Sequence, residues 1–324
     1  MLCKINFKKI YLLIFLLAFV FPKAQVVNTS SISTLSSPIK KNCGTSLNPD
    51  YAKWKNQIIP LQNLVSTLKH DTCLNKKFSI VFYIVLDSMY QPGITQAQLN
   101  AAINTLNTVF SRICVKFENC STVYIPKWPY NNWVQIPHEV QITSNWYTTQ
   151  TINFYLVDGF SGLPNQGGYT YMPGTPGNKD LLLMRKAALN TTTLLHLMGH
   201  FFGLPNTYDE IAPIPPAVPG PPPGITSHEW FNRVPANCYT HGDGFCDTEA
   251  DPYNGTLPQG YNDSNPPVPP CYYDYGPQDG QSNYYTPPVD NYMSEYRGTC
   301  RCRYTQEQYN FMARVILTQK LYLH

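Results

Sequence analysis

Charge is what this chain has least of. Asp, Glu, Lys and Arg make up only 13% of its 324 residues. No basic cluster follows residue 24, so the electrostatic footprint of a nucleic-acid binder is missing. The formal charge is +3, but four of the 23 basic residues are Lys4, Lys8, Lys9 and Lys23. The rest of the chain sets 19 basic against 20 acidic residues, one net negative charge. No CxxC pair occurs, which argues against a cysteine zinc cluster. After the first 24 residues there is no second long apolar run, so no transmembrane segment is expected there. Internal repeats are also lacking.

What is there begins with a basic stretch and an unbroken apolar run of twelve residues, Ile10 to Phe21, followed by Pro-Lys-Ala-Gln. The run is shorter than the about 20 residues of a spanning helix. The pattern predicts a signal peptide over 1–24 and export to the periplasm, the cell envelope or the medium. Nine cysteines follow: Cys43, Cys73, Cys114, Cys120, Cys238, Cys246, Cys271, Cys300 and Cys302. In an exported chain they read as disulfide candidates. The odd count leaves at least one thiol without an internal partner. Cys114 and Cys120 are close enough in sequence for a local bridge.

Residues 25–75 read as a leader, rich in Ser, Thr, Asn and Lys over 26–42, with a helix over 49–70 interrupted at Pro60. Phe78 to Leu86 (FSIVFYIVL) has the length and composition of a buried strand. Thr95 and Gln98 form a capping box ahead of Leu99, Ile103, Leu106, Phe110 and Ile113 at helical spacing. Cys114–Glu118, Ile152–Val157 and Asp180–Met184 read as strands, and Gly159–Gly177 as loop or sheet edge. Asn190 is expected to cap a helix bearing Leu194, Leu195, Met198, Phe201 and Phe202. Seven prolines in 211–224 predict a polyproline-like surface insertion. A second capping box, Thr305 and Gln308, opens a terminal helix. The fold class that follows is α/β with an irregular, cysteine-stapled second half.

The chemistry concentrates in Leu194–Asp209, LLHLMGHFFGLPNTYD. His196 and His200, four apart, share one helix face and can hold one zinc ion. Gly203 can end the helix in a left-handed turn and bring Asn206 toward the same metal. The alternative reading is that both histidines are hydrogen-bonded structural residues. The order of motifs resembles the pappalysin-like metzincin zinc peptidases. His196-Leu-Met-Gly-His200-Phe-Phe-Gly203-Leu-Pro-Asn206 stands where that family has HExxHxxGxxH. Gly242 to Pro252 (GDGFCDTEADP), preceded by Asn237-Cys238, is similar to a GDGxCDTxADP block. Asn291-Tyr292-Met293-Ser294 looks like the Met-turn, and Cys300, Thr305 and Cys43-Gly44-Thr45 fall in family order. The likeness spans roughly residues 43–317.

The resemblance implies a metzincin-like domain over 76–324. A twisted mixed sheet and the active-site helix would form an N-terminal lobe (76–203), and the Met-turn and terminal helix an irregular lobe (204–324). It implies zinc at His196 and His200, with Asn206 a weak third position; His228 and His241 are other histidines that could substitute, and no spacing favours either. It implies a calcium site at Asp243, Asp247 and Asp251, against which stands a plain acidic turn. The departures bear on function. Leu197 replaces the signature glutamate, which takes a proton from the attacking water, help worth about 10²–10⁴-fold. Asn206 replaces the third histidine, a better zinc ligand than an amide oxygen. Two functions remain open: an exported pseudoprotease that keeps a peptide- or protein-binding cleft, or a zinc endopeptidase with altered ligands.

Overall fold

The computed structural model describes residues 73–209, 238–239, 241–253, 261–262, 271–273 and 284–324. The expected signal peptide, the leader up to residue 72, Cys43, the proline insertion and His228 lie outside them.

Four strands run parallel: β1 (Lys76–Val85), β2 (Val115–Ile125), β4 (Ile152–Val157) and β7 (Leu181–Arg185). A short antiparallel strand, β6 (Gly168–Thr170), closes one edge, so the order is β2-β1-β4-β7-β6. A minor ladder pairs β3 (Asn132–Trp133) with β5 (Gly159–Phe160). This is the α/β architecture that the sequence pattern predicts, with the twisted mixed sheet that the resemblance implies. β1 lies between two strands with both faces covered, which is why its sequence is continuously apolar rather than alternating. Phe78, Ile80, Phe82 and Ile84 face one core, and Val81, Tyr83 and Val85 face the other.

Three helices cover the first face: α1 (Gln96–Phe110), α3 (Thr192–Phe201) and α4 (Gln306–Gln319). Both capping boxes form. Thr95 and Gln98 close the start of α1, and Thr305 and Gln308 that of α4. The start of α3 differs from expectation by one residue: Thr191, not Asn190, is the cap, its hydroxyl accepting from the Thr193 N–H. A short helix, α2 (Pro137–Thr143), lies on the second face, where Ile142 enters the core.

The cysteines correct one expectation. Cys114 pairs with Cys73 rather than Cys120, and Cys238–Cys246 and Cys271–Cys300 are the other bridges with both partners described. The reason lies in β2. Cys114 precedes the strand in a left-handed turn, φ 53°, beside the entry to β1. Cys120 sits six residues along the strand, at the irregularity where Asn119 pairs with Ile80 and Ser121 with Val81. It too is disulfide-bonded. Cys302 is exposed and free.

Candidate metal centre

Helix α3 is buried along its length, and it positions the two histidines by its own periodicity. His196 and His200 are 1% and 0% exposed, with ring centroids 4.6 Å apart. Each Nδ1 meets a main-chain carbonyl: His196 with Tyr292 O at 2.8 Å, and His200 with Leu204 O at 2.7 Å. A carbonyl only accepts, so both Nδ1 atoms carry the proton. Fixing the tautomer from behind in this way is the support that metal-ligating histidines receive. The two Nε2 atoms then face each other at 3.1 Å.

That contact decides what the pair can do. With Nδ1 protonated, each neutral ring presents a lone pair at Nε2, and two lone pairs at 3.1 Å repel. A proton between them would create an imidazolium. Burial, then the neighbouring His200 and Arg301, push His196 well below the usual histidine range, so that form is disfavoured. A cation shared by both nitrogens resolves the repulsion. Zn–N bonds of about 2.0–2.1 Å place two nitrogens about 3.3 Å apart in a tetrahedron, close to what is observed. The donor set therefore fits a divalent metal at two positions.

The surroundings of the pair are built from distant segments. Gly203 takes φ 92°, reversing the chain so that the Leu204 N–H reaches Gly199 O at 2.9 Å and the Leu204 carbonyl reaches His200. Beyond it Asn206 is fully buried. Its main-chain N–H and its side-chain amide both donate to Asp209 Oδ2 at 2.9 Å, and its Oδ1 has no hydrogen-bond partner. Thr207 N–H donates to Met293 O. Met293 is fully buried, and a Cβ on Gly199 would lie 2.2 Å from its Sδ. The turn carrying Met293 is fixed by Asn291, which accepts from the Met293 N–H and donates to Gln308.

Leu197 is fully buried in the main core, near Gly168 of β6, where an added Cβ would meet Leu197 Cδ1 at 2.6 Å. It presents no proton acceptor. Among the described residues no group of three His, Cys, Asp or Glu side chains is placed to hold a metal, and His241 does not complete one. The calcium expectation finds no support. Asp243 accepts from Phe245 N–H and Thr248, Asp247 from Glu307 N–H, and Asp251 from Thr207, Tyr253 N–H and Tyr296. Each carboxylate serves a separate set of donors, and among the described residues the three form no group placed to hold an ion.

Sequence reasoning missed Glu295. Its side chain is 1% exposed and its Oε1 lies 3.7 Å from His196 Nε2. Its position two residues after Met293 was the available signal. It also missed Asp209 as the partner of Asn206.

No protein-family model and no curated protein matches the chain. Among solved structures it is similar to metalloproteinase-II from Bacteroides fragilis, with 12% identity and a TM-score of 0.30. The likeness covers 45% of this chain and 51% of that one, so the chain spans about half that structure's length. A likeness of that score carries no functional argument.

Proposed function

We propose that this protein is an exported metallopeptidase-like scaffold of the pappalysin type that has kept its metal pair and lost peptide hydrolysis. In this reading His196 and His200 hold a zinc ion, Met293 is the Met-turn methionine, and the cleft beside them binds a peptide or protein. The observation that carries it is the pairing of two inward-facing, backbone-fixed imidazoles with Leu197 on the same helix. A zinc ion held there supplies Lewis acidity. The buried imidazoles would hold it, but Leu197 can neither take nor return a proton. The three disulfides with both partners among the described residues fit an oxidising compartment.

One feature favours the second reading, an active endopeptidase with altered groups. Glu295 brings a buried carboxylate to within 3.7 Å of His196, a candidate for the lost proton acceptor.

Metal analysis of the purified mature protein, with casein and gelatin cleavage measured with and without chelator, separates the two. The expected result is bound metal and no chelator-sensitive cleavage. Chelator-sensitive cleavage by the unaltered chain would overturn the pseudoprotease reading in favour of the second.

A further inference from the structure

We infer that Asp209 is a positioning residue that makes the Asn206 side chain the third donor of this metal site. The inference rests on the proposed reading that His196 and His200 bind a metal.

Asparagine in water offers both ends of its amide equally and would make an indifferent ligand. Here the choice of end is imposed. Asp209 Oδ2 already accepts the Asn206 main-chain N–H, so the atom facing it from the side chain must be the donor, Nδ2. That settles the amide's orientation on hydrogen-bond grounds and turns Oδ1 away from Asp209. Oδ1 then has no hydrogen-bond partner in a residue that is 0% exposed. An orphaned buried acceptor is unfavourable, and a cation beside it removes that penalty.

The place is right as well. Two residues upstream, Leu204 O holds His200. One residue downstream, Thr207 N–H is tied to the turn whose Tyr292 carbonyl holds His196. Asn206 thus lies in the chain between the carbonyl that holds His200 and the residue tied to the turn that holds His196. The second bond to Asp209, from the side chain, sets a direction.

The test is zinc titration by calorimetry, with the visible spectrum of the cobalt-loaded protein as a second readout. It compares the mature wild type with Asp209→Ala, Asn206→Ala, the double variant and His200→Ala. Loss of a group that orients a ligand costs about 10–100-fold in metal affinity. Asp209→Ala should show that loss and alter the cobalt spectrum, and Asn206→Ala should lose at least as much. The double variant should bind no more weakly than Asn206→Ala alone. Asp209→Asn, which keeps one acceptor for the Asn206 amide, should recover most of the affinity and guards against misfolding of the alanine variant. An Asp209 effect that persists undiminished without Asn206, or no effect, overturns the inference while leaving the histidine site standing. Wild-type protein that takes up no zinc, or zinc uptake indifferent to His200→Ala, overturns both.

Discussion

Gly199 and Met293 lay claim to one volume: a Cβ at position 199 would stand 2.2 Å from the Met293 sulfur and 3.3 Å from the Tyr304 ring. The glycine is what lets the methionine lie directly against α3, one residue before His200. Replacing a mid-helix glycine by alanine normally gains about 1 kcal/mol. Here overpacking should cost about 1–3 kcal/mol and reverse the sign. Gly199→Ala is therefore expected to lower the thermal midpoint. In a Met293→Ala background the same change should be neutral or stabilising. Additive effects of the two changes would show that the residues do not compete.

Glu139 anchors α2 to the sheet edge. It is 2% exposed, accepts from the Tyr169 and Tyr171 hydroxyls at 2.6 and 2.8 Å, and pairs with Lys179. Removing it leaves two buried phenols without their acceptor, at about 1–3 kcal/mol each. Glu139→Ala should cost about 3 kcal/mol in urea unfolding and raise amide exchange across Gly168–Thr170, the edge strand next to Tyr171. Unchanged exchange there would mean that the network does not hold the edge.

What the sequence discloses divides along the range of the interaction. The strand β1, both capping boxes and the facing of His196 and His200 depend on residues within four positions of each other, and periodicity alone carries them. The Glu139 network joins residues 30 and more apart, and nothing in its residue types names its partners. The Cys73–Cys114 bridge spans 41 positions, which is why nearness in sequence suggested Cys120 instead. The acidic block shows the limit from the other side, since nothing in the described structure supports the calcium expectation. Asp243, Asp247 and Asp251 have an oxygen-rich, turn-like pattern, but backbone N–H groups and hydroxyls donate to one oxygen or more of each. Glu295 was visible as a residue but not as a neighbour of His196, and Asp209 not as the partner of Asn206, since both depend on how the turns after Gly203 and around Met293 fold.

Asp247 and Glu307 make the start of α4 sensitive to pH. Glu307 is raised above the usual glutamate range, first by burial and then by the charge of Asp247, and is partly relieved by hydrogen bonds from the Cys246 N–H and Tyr239. A carboxyl raised in the folded state binds its proton more tightly there than in the unfolded chain. Its contribution to stability is therefore best at low pH and falls as pH climbs from about 4.5 through the raised value. Asp247→Asn keeps an acceptor for the Glu307 N–H and removes the charge. Glu307 should then titrate lower, and the loss of stability above pH 4.5 should shrink. Carboxyl titration by NMR reads this directly. An unmoved Glu307 would leave burial as the whole cause.

Restoring the glutamate is the sharpest trial of the scaffold. Leu197 belongs to the main core and lies near Gly168, so Leu197→Glu alone places a carboxyl in an apolar setting and should destabilise the protein by several kcal/mol. Asn206→His alone should tighten zinc binding, because an imidazole replaces an amide oxygen, without adding a proton acceptor. Together they supply both missing parts. General acid–base help is worth about 10²–10⁴-fold, so chelator-sensitive cleavage of casein is expected from the double variant and from neither single one. Tight zinc binding without cleavage would place the divergence in the peptide cleft itself. The loss at Leu197 would then be one consequence among several of a scaffold turned to binding.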